Sequence, residues 1–122
     1  MRTVEVERLG APLRNPTTLA SLATVSPALW PAPSGHEMRA LLSAVGLSDE
    51  LVAAVVGISS RTLRRWMVYG LPADDTDEKE TLLSVLNVVT CWLASHAPNV
   101  FTVILEDFEP GLSGDFPRTK EG

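Results

Sequence analysis

The sequence predicts a mainly α-helical fold, with a central helical domain, an N-terminal extension and a short C-terminal appendage. Apolar residues recur at helical spacing in several segments, and hydroxyl or amide side chains stand where helix N-caps are expected. Glycine or proline then follows most of these segments, as is typical of helix ends. We expect the extension with its linker over residues 1–33, the helical domain over residues 34–97 and the appendage over residues 98–122.

The N-terminal extension combines a short strand pattern, a helix and a linker. Residues 3–7, TVEVE, alternate polar and apolar side chains, which is typical of a strand. Asn15 is a suitable N-cap for a helix with Pro16 at its first position. Residues 26–34 are rich in proline and serine, which predicts an extended linker. Trp30 in this linker either packs on the domain's own core, which we favour, or docks a partner.

Three serines are predicted to open the next three helices. Ser34 and Glu37 have the spacing of a capping box, in which each side chain satisfies a free backbone N–H group of the other. That helix is predicted to end at Gly46. Ser48 and Ser59 are the predicted caps of the two helices that follow.

A long helix is predicted after the acidic residues 74–80. Its apolar surface is wider than one stripe, so we expect the helix to be buried on two sides. One side would cover the preceding helices, and the other would meet a second subunit of a homodimer or another partner. The residues predicted for that interface are Leu82, Leu86, Val89, Trp92 and Leu93.

The segment 100–108, VFTVILEDF, permits two interpretations. Its apolar residues have helical spacing, whereas its β-branched content suits a strand that pairs with residues 3–7 in a small two-stranded element. We favour the helix. Residues 109–122 are rich in proline, glycine and charge, which predicts a loop or a disordered tail.

Residues 47–70, LSDELVAAVVGISSRTLRRWMVYG, have the pattern of two short helices joined by a tight turn. Ala53 is small where the helices would cross, and Gly57 permits the turn. Three residues are predicted to face inward and fix the second helix: Ile58, Leu63 and Trp66. Together these choices indicate a helix-turn-helix, in which the second helix enters the major groove of DNA.

The outward positions of that second helix carry the predicted chemistry. Arg61 and Arg64 share one face and suit contacts to guanine edges, whereas Thr62 and Arg65 on the flanks suit phosphate contacts. Asp49 opens the other helix, where we expect its carboxylate to repel phosphate. The complete predicted DNA-binding set is Ser60, Arg61, Thr62, Arg64 and Arg65. The alternative is that the arginines form an ordinary solvated face.

The distribution of charge is more informative than its sum. The 122 residues carry a net charge of −5, which argues against a protein that coats nucleic acid indiscriminately. Between Val52 and Pro72, however, the only charged residues are the three arginines. Specific DNA binding depends on such local charge, so the overall acidity is compatible with it.

Other classes of protein find little support in the sequence. Cys91 is the only cysteine, so no internal disulfide can form, and we expect a cytoplasmic protein without a signal peptide. The longest apolar run, residues 51–56, is too short to cross a membrane. His36 and His96 lack neighbours at metal-ligand spacing, and we find no phosphate-binding glycine-rich loop. We therefore expect neither an enzyme nor a metal or cofactor.

Residues 46–70 resemble the Xre-type helix-turn-helix family of bacterial and phage regulators. The sequence GISSRTLRRW, followed by a glycine, an acidic stretch and a long apolar helix, is most similar to antitoxins of the Xre/MbcA/ParS kind. Residues 105–117, LEDFEPGLSGDFP, are similar to a short Pro…Leu-x-Gly…Pro stretch in that family's second domain. The resemblance implies a dimeric regulator that represses its own operon. It also implies a partner toxin, usually an NAD-degrading enzyme, whose active site the C-terminal part obstructs.

The leading hypothesis from the sequence is a repressor that binds double-stranded DNA as a homodimer, at a near-palindromic operator, and acts as an autoregulating antitoxin. One alternative is a protein-interaction module whose main role is toxin neutralisation, based on the wide apolar helix and the C-terminal tail. Another is a phage Cro- or repressor-type switch protein with the same DNA chemistry.

Overall fold

The computed structural model describes residues 10–107, and all regular structure in that range is helical. The prediction of a mainly α-helical fold is therefore confirmed. The predicted strand at residues 3–7 and the predicted tail at residues 109–122 lie outside the described residues. A 3₁₀ turn, Ala11–Arg14, precedes helices α1 Pro16–Val25, α2 Gly35–Ala44, α3 Asp49–Val56, α4 Ser60–Tyr69, α5 Asp77–His96 and α6 Pro98–Asp107.

The predicted helix caps are all present. The Asn15 side chain accepts hydrogen bonds from two backbone N–H groups at the start of α1, 2.9 and 3.1 Å long. Ser34 and Glu37 form the reciprocal capping box, with bonds of 2.8 and 3.2 Å. Ser48 and Ser59 each accept one backbone hydrogen bond at the starts of α3 and α4. Such caps satisfy N–H groups that the first turn of a helix leaves unpaired, so they fix where each helix begins.

Helix α5 lies at the centre of the core, where α1, α2, α3 and α6 pack against it. Its wide apolar surface is buried on two sides, as predicted, but by helices of the same chain. Four of the five residues predicted for a partner interface are at most 1% exposed: Leu82, Leu86, Val89 and Leu93. That prediction is corrected for these four, because helices of the same chain already bury their side chains.

Trp92, the fifth residue of that predicted interface, is half-buried and packs against the edge of the core. Its ring stacks on His96 one turn later, with the ring centroids 4.2 Å apart. Trp92 thus contacts its own helix and core while part of its side chain stays exposed.

The linker between α1 and α2 contacts the core through a leucine instead of the tryptophan. The Leu29 N–H group donates a 3.0 Å hydrogen bond to the Leu83 carbonyl of α5, and the Leu29 side chain packs against the core. Trp30 is 82% exposed. The favoured prediction that Trp30 packs on the core is therefore wrong, because Leu29 takes the inward position and the next side chain points to solvent.

Helix α6 distinguishes between the two interpretations of the segment after Pro98. Residues 98–107 are helical, so the favoured helix is confirmed and the two-stranded element is wrong for these residues. The Phe101 N–H group donates to the Ala97 carbonyl at 3.0 Å, which closes the first turn. Phe101 and Ile104 pack against the core, whereas Val103 is exposed.

Helix α2 approaches α4 closely at a glycine. Gly35 stands at the first position of α2, and a methyl group there would overlap the backbone carbonyl of Met67 in α4. Only a residue without a side chain lets the two backbones come this near. The orientation of α4 therefore depends on Gly35 as well as on apolar packing.

We expect the substitution Gly35→Ala to lower the free energy of unfolding by about 1–3 kcal/mol, because the added methyl group forces α2 and α4 apart. Urea denaturation followed by circular dichroism measures the change. Ser43→Ala, at an exposed position of the same helix, is the control and should change stability by less than about 0.5 kcal/mol. Equal midpoints for the two variants would show that the helix contact is loose.

Candidate nucleic-acid interface

The turn between α3 and α4 consists of residues 57–59. Gly57 has a φ angle of +94°, in the left-handed region that favours glycine. The N–H groups of Gly57 and Ile58 both donate to the Ala53 carbonyl, over 2.8 and 3.0 Å. These two hydrogen bonds end α3, and α4 begins after only three turn residues.

The inner side of α4 packs against α2 and α3. Leu63 is fully buried and Met67, one turn later, is nearly so. Trp66 and Ile58 are half-buried and pack against the core, and Ala53 is buried. The predicted inward orientation is thus confirmed for Leu63, whereas Ile58 and Trp66 are only half-buried against the core. Met67, which was not among the predicted inward residues, is buried as well.

The outer side of α4 carries the three arginines. Arg61, Arg64 and Arg65 are exposed, and the helix has no other charged residue. Because Leu63 and Met67 take the inner positions, Arg61, Arg64 and Arg65 fall on the remaining sides of the helix, where they are exposed to solvent. One short helix therefore presents three guanidinium groups on the surface of an acidic protein.

The other two predicted contact residues are less exposed to solvent. Ser60 and Thr62 are both half-buried in the first turn of α4. The Thr62 hydroxyl accepts a 3.0 Å hydrogen bond from the Ser59 hydroxyl, which also accepts from the Thr62 N–H group. The Thr62 side chain therefore supports the cap at the start of α4.

Asp49 lies between two guanidinium groups. Arg39 of α2 contacts both carboxylate oxygens, at 2.7 Å from Nη1 and 3.5 Å from Nη2. Arg64 of α4 places its Nη1 atom 3.6 Å from Oδ2. The Asp49 side chain is 16% exposed, whereas those of Arg39 and Arg64 are 46% and 50% exposed. The repulsion of phosphate predicted for Asp49 is therefore offset by two more exposed cations.

Arg39 was not among the residues predicted from the sequence. It stands ten positions before Asp49 on a different helix, so no local spacing relates the two. Its side chain extends the cationic surface from α4 to α2. Only the packing of three helices brings Arg39, Asp49 and Arg64 together.

Within residues 10–107, no group of three or more His, Cys, Asp or Glu side chains is arranged to hold a metal ion. None of the helices there is long and apolar enough to cross a lipid bilayer. The chain matched no protein-family model, no curated protein and no solved structure in comparisons with each.

The cap of α4 gives a stability prediction. Ser59→Ala removes the acceptor for the Thr62 N–H group and should lower the free energy of unfolding by about 1 kcal/mol. Ser60→Ala, one position later, keeps the cap and should have a much smaller effect. Thermal melting of the two variants distinguishes them, and a larger loss for Ser60→Ala would contradict the assigned cap.

Proposed function

We propose that this protein is a sequence-specific DNA-binding transcriptional regulator, in which α3 and α4 act as a helix-turn-helix and α4 enters the major groove. The observation that carries the proposal is the division of α4 into two sides. Leu63 and Met67 anchor its inner side in the core, and three exposed arginines occupy its outer side. Recognition of base edges requires hydrogen-bond donors held in defined positions, and a helix anchored in the core with exposed guanidinium groups provides them.

The proposed contacts follow from position on α4. Arg61 and Arg64, three residues apart, reach guanine edges with paired N–H donors. Arg65 neutralises a phosphate and adds affinity with little sequence choice. Ser60, at the first position of α4, contacts a base or a phosphate where the helix N-terminus meets the DNA.

The charge balance supports specific over general binding. The net charge of −5 repels DNA from most of the surface, so attraction is confined to the region around α4. Arg39 adds a cation beside Arg64, while Asp49 lies beneath both. Affinity should fall as salt concentration rises, with a slope set by the number of phosphates that these few cations neutralise.

A homodimer on a near-palindromic operator remains part of the proposal, but it needs a surface other than the buried face of α5. Within the described residues, the large apolar side chains exposed to solvent are Val25, Trp30, Val68, Tyr69 and Val103. Repression of its own gene as an antitoxin is proposed on the sequence resemblance alone. The toxin-neutralising alternative was based on the apolar face of α5 and on the C-terminal tail. The first of these is buried within the chain, and the second lies outside the described residues.

Replacing both base-reading arginines tests the proposal. Arg61→Ala combined with Arg64→Ala should weaken specific binding by about 2–6 kcal/mol, the sum of two guanine contacts. The melting temperature should change little, because both side chains are exposed. Fluorescence anisotropy with the duplex upstream of the protein's own gene measures the loss. Retention of specific binding by the double variant would refute the assignment of α4.

Arg65→Ala should affect DNA binding differently from the double variant, although it too removes positive charge from the same helix. We expect binding to weaken on specific and unrelated duplexes alike, because a phosphate contact does not distinguish sequences. The slope of log affinity against log salt concentration should become shallower by about 1. An unchanged slope, or a loss confined to one sequence, would move Arg65 from the phosphate to a base edge.

A further inference from the structure

Asp49 makes a closer contact with Arg39 than with Arg64. Arg39 is held by two contacts, the shorter of them a 2.7 Å hydrogen bond. Arg64 lies 3.6 Å from Oδ2, which is within the range of an ion pair but beyond a good hydrogen bond. Arg39 thus anchors the carboxylate, and the carboxylate attracts the Arg64 guanidinium without occupying its donors.

A free arginine side chain has many rotamers, and fixing it costs up to about 2 kcal/mol of conformational entropy. A carboxylate beneath the guanidinium restricts those rotamers before DNA arrives. The Arg64 side chain is 50% exposed, so it pairs with Asp49 while still in contact with solvent. Its 3.6 Å separation from Oδ2 is too long for a good hydrogen bond, so the pairing leaves the N–H donors of Arg64 available.

We infer that Asp49 is a positioning residue for base recognition: anchored by Arg39, it orients the Arg64 guanidinium for its contact with a guanine. Arg39 has the further role of compensating the carboxylate, so that a nearby phosphate meets net positive charge. This inference rests on the proposed function, since it assigns a task to Arg64 only if α4 reads DNA.

A simpler role for Asp49 is to stabilise α3 through the helix dipole. Glu50 separates the two explanations, because it also lies in the first turn of α3 and carries the same charge. Glu50 is exposed, and Asp49, not Glu50, lies between the guanidinium groups. Glu50→Gln is therefore the matched control for Asp49→Asn.

The experiment uses the full chain and a duplex that the wild-type protein enriches from a random-sequence library. For each variant, the affinity ratio between that duplex and a scrambled one is measured by fluorescence anisotropy. Asp49→Asn should lower the ratio about threefold, the range of an exposed ion pair. Glu50→Gln should raise both affinities together and leave the ratio unchanged. In an Arg64→Ala background, Asp49→Asn should have no effect on the ratio.

The outcomes distinguish the inference from the function on which it rests. If Asp49→Asn and Glu50→Gln give the same ratio while Arg64→Ala lowers it by about tenfold or more, DNA reading stands and the positioning role is overturned. If Asp49→Asn still lowers the ratio without Arg64, Asp49 acts by another route and the inference also fails. If the wild-type protein enriches no sequence, both proposals fail. Thermal melting separates a general loss of folding, which would lower both affinities, from a change in the ratio.

Discussion

The packing of the inner side of α4 is the constraint on which the candidate site depends. Leu63 is fully buried, and Gly35 lets the backbone of α2 approach that of Met67. Because residues four apart share one side of a helix, burial of Leu63 and Met67 turns the arginines outward. The positions of the three arginines on the surface therefore follow from apolar packing. A less tightly packed core would leave those positions less well defined.

Electrostatics then determines how that surface can be used. The chain is acidic overall, so three arginines on one short helix stand out against a background that repels polyanions. Asp49 places a carboxylate beneath this surface, where Arg39 and Arg64 compensate it. An exposed pair of this kind contributes little to stability, at most about 1 kcal/mol. Its main physical effect is on where the guanidinium groups lie.

The sequence predicted local features well and contacts between distant helices poorly. Caps such as Ser34 with Glu37, and the left-handed turn at Gly57, depend on residues within a few positions of one another. The burial of α5 on two sides was also predictable from its apolar width, but the identity of what covers it was not. The pairing of Arg39 with Asp49 left no signal in the spacing, because it joins two helices and depends on their packing.

If α4 reads DNA as proposed, burial of α5 within its own chain also bears on how much sequence one copy could read. Two arginine contacts to guanine give about 2–6 kcal/mol of discrimination, whereas specific binding typically exceeds non-specific binding by about 4–10 kcal/mol. One copy therefore falls at the low end of that range. A second copy on a symmetric site would double the number of contacts, and none of them would require the core residues of α5. In the proposed homodimer, the surface that joins two copies would therefore lie outside the buried face of α5, and dimerisation and folding would use separate parts of the molecule.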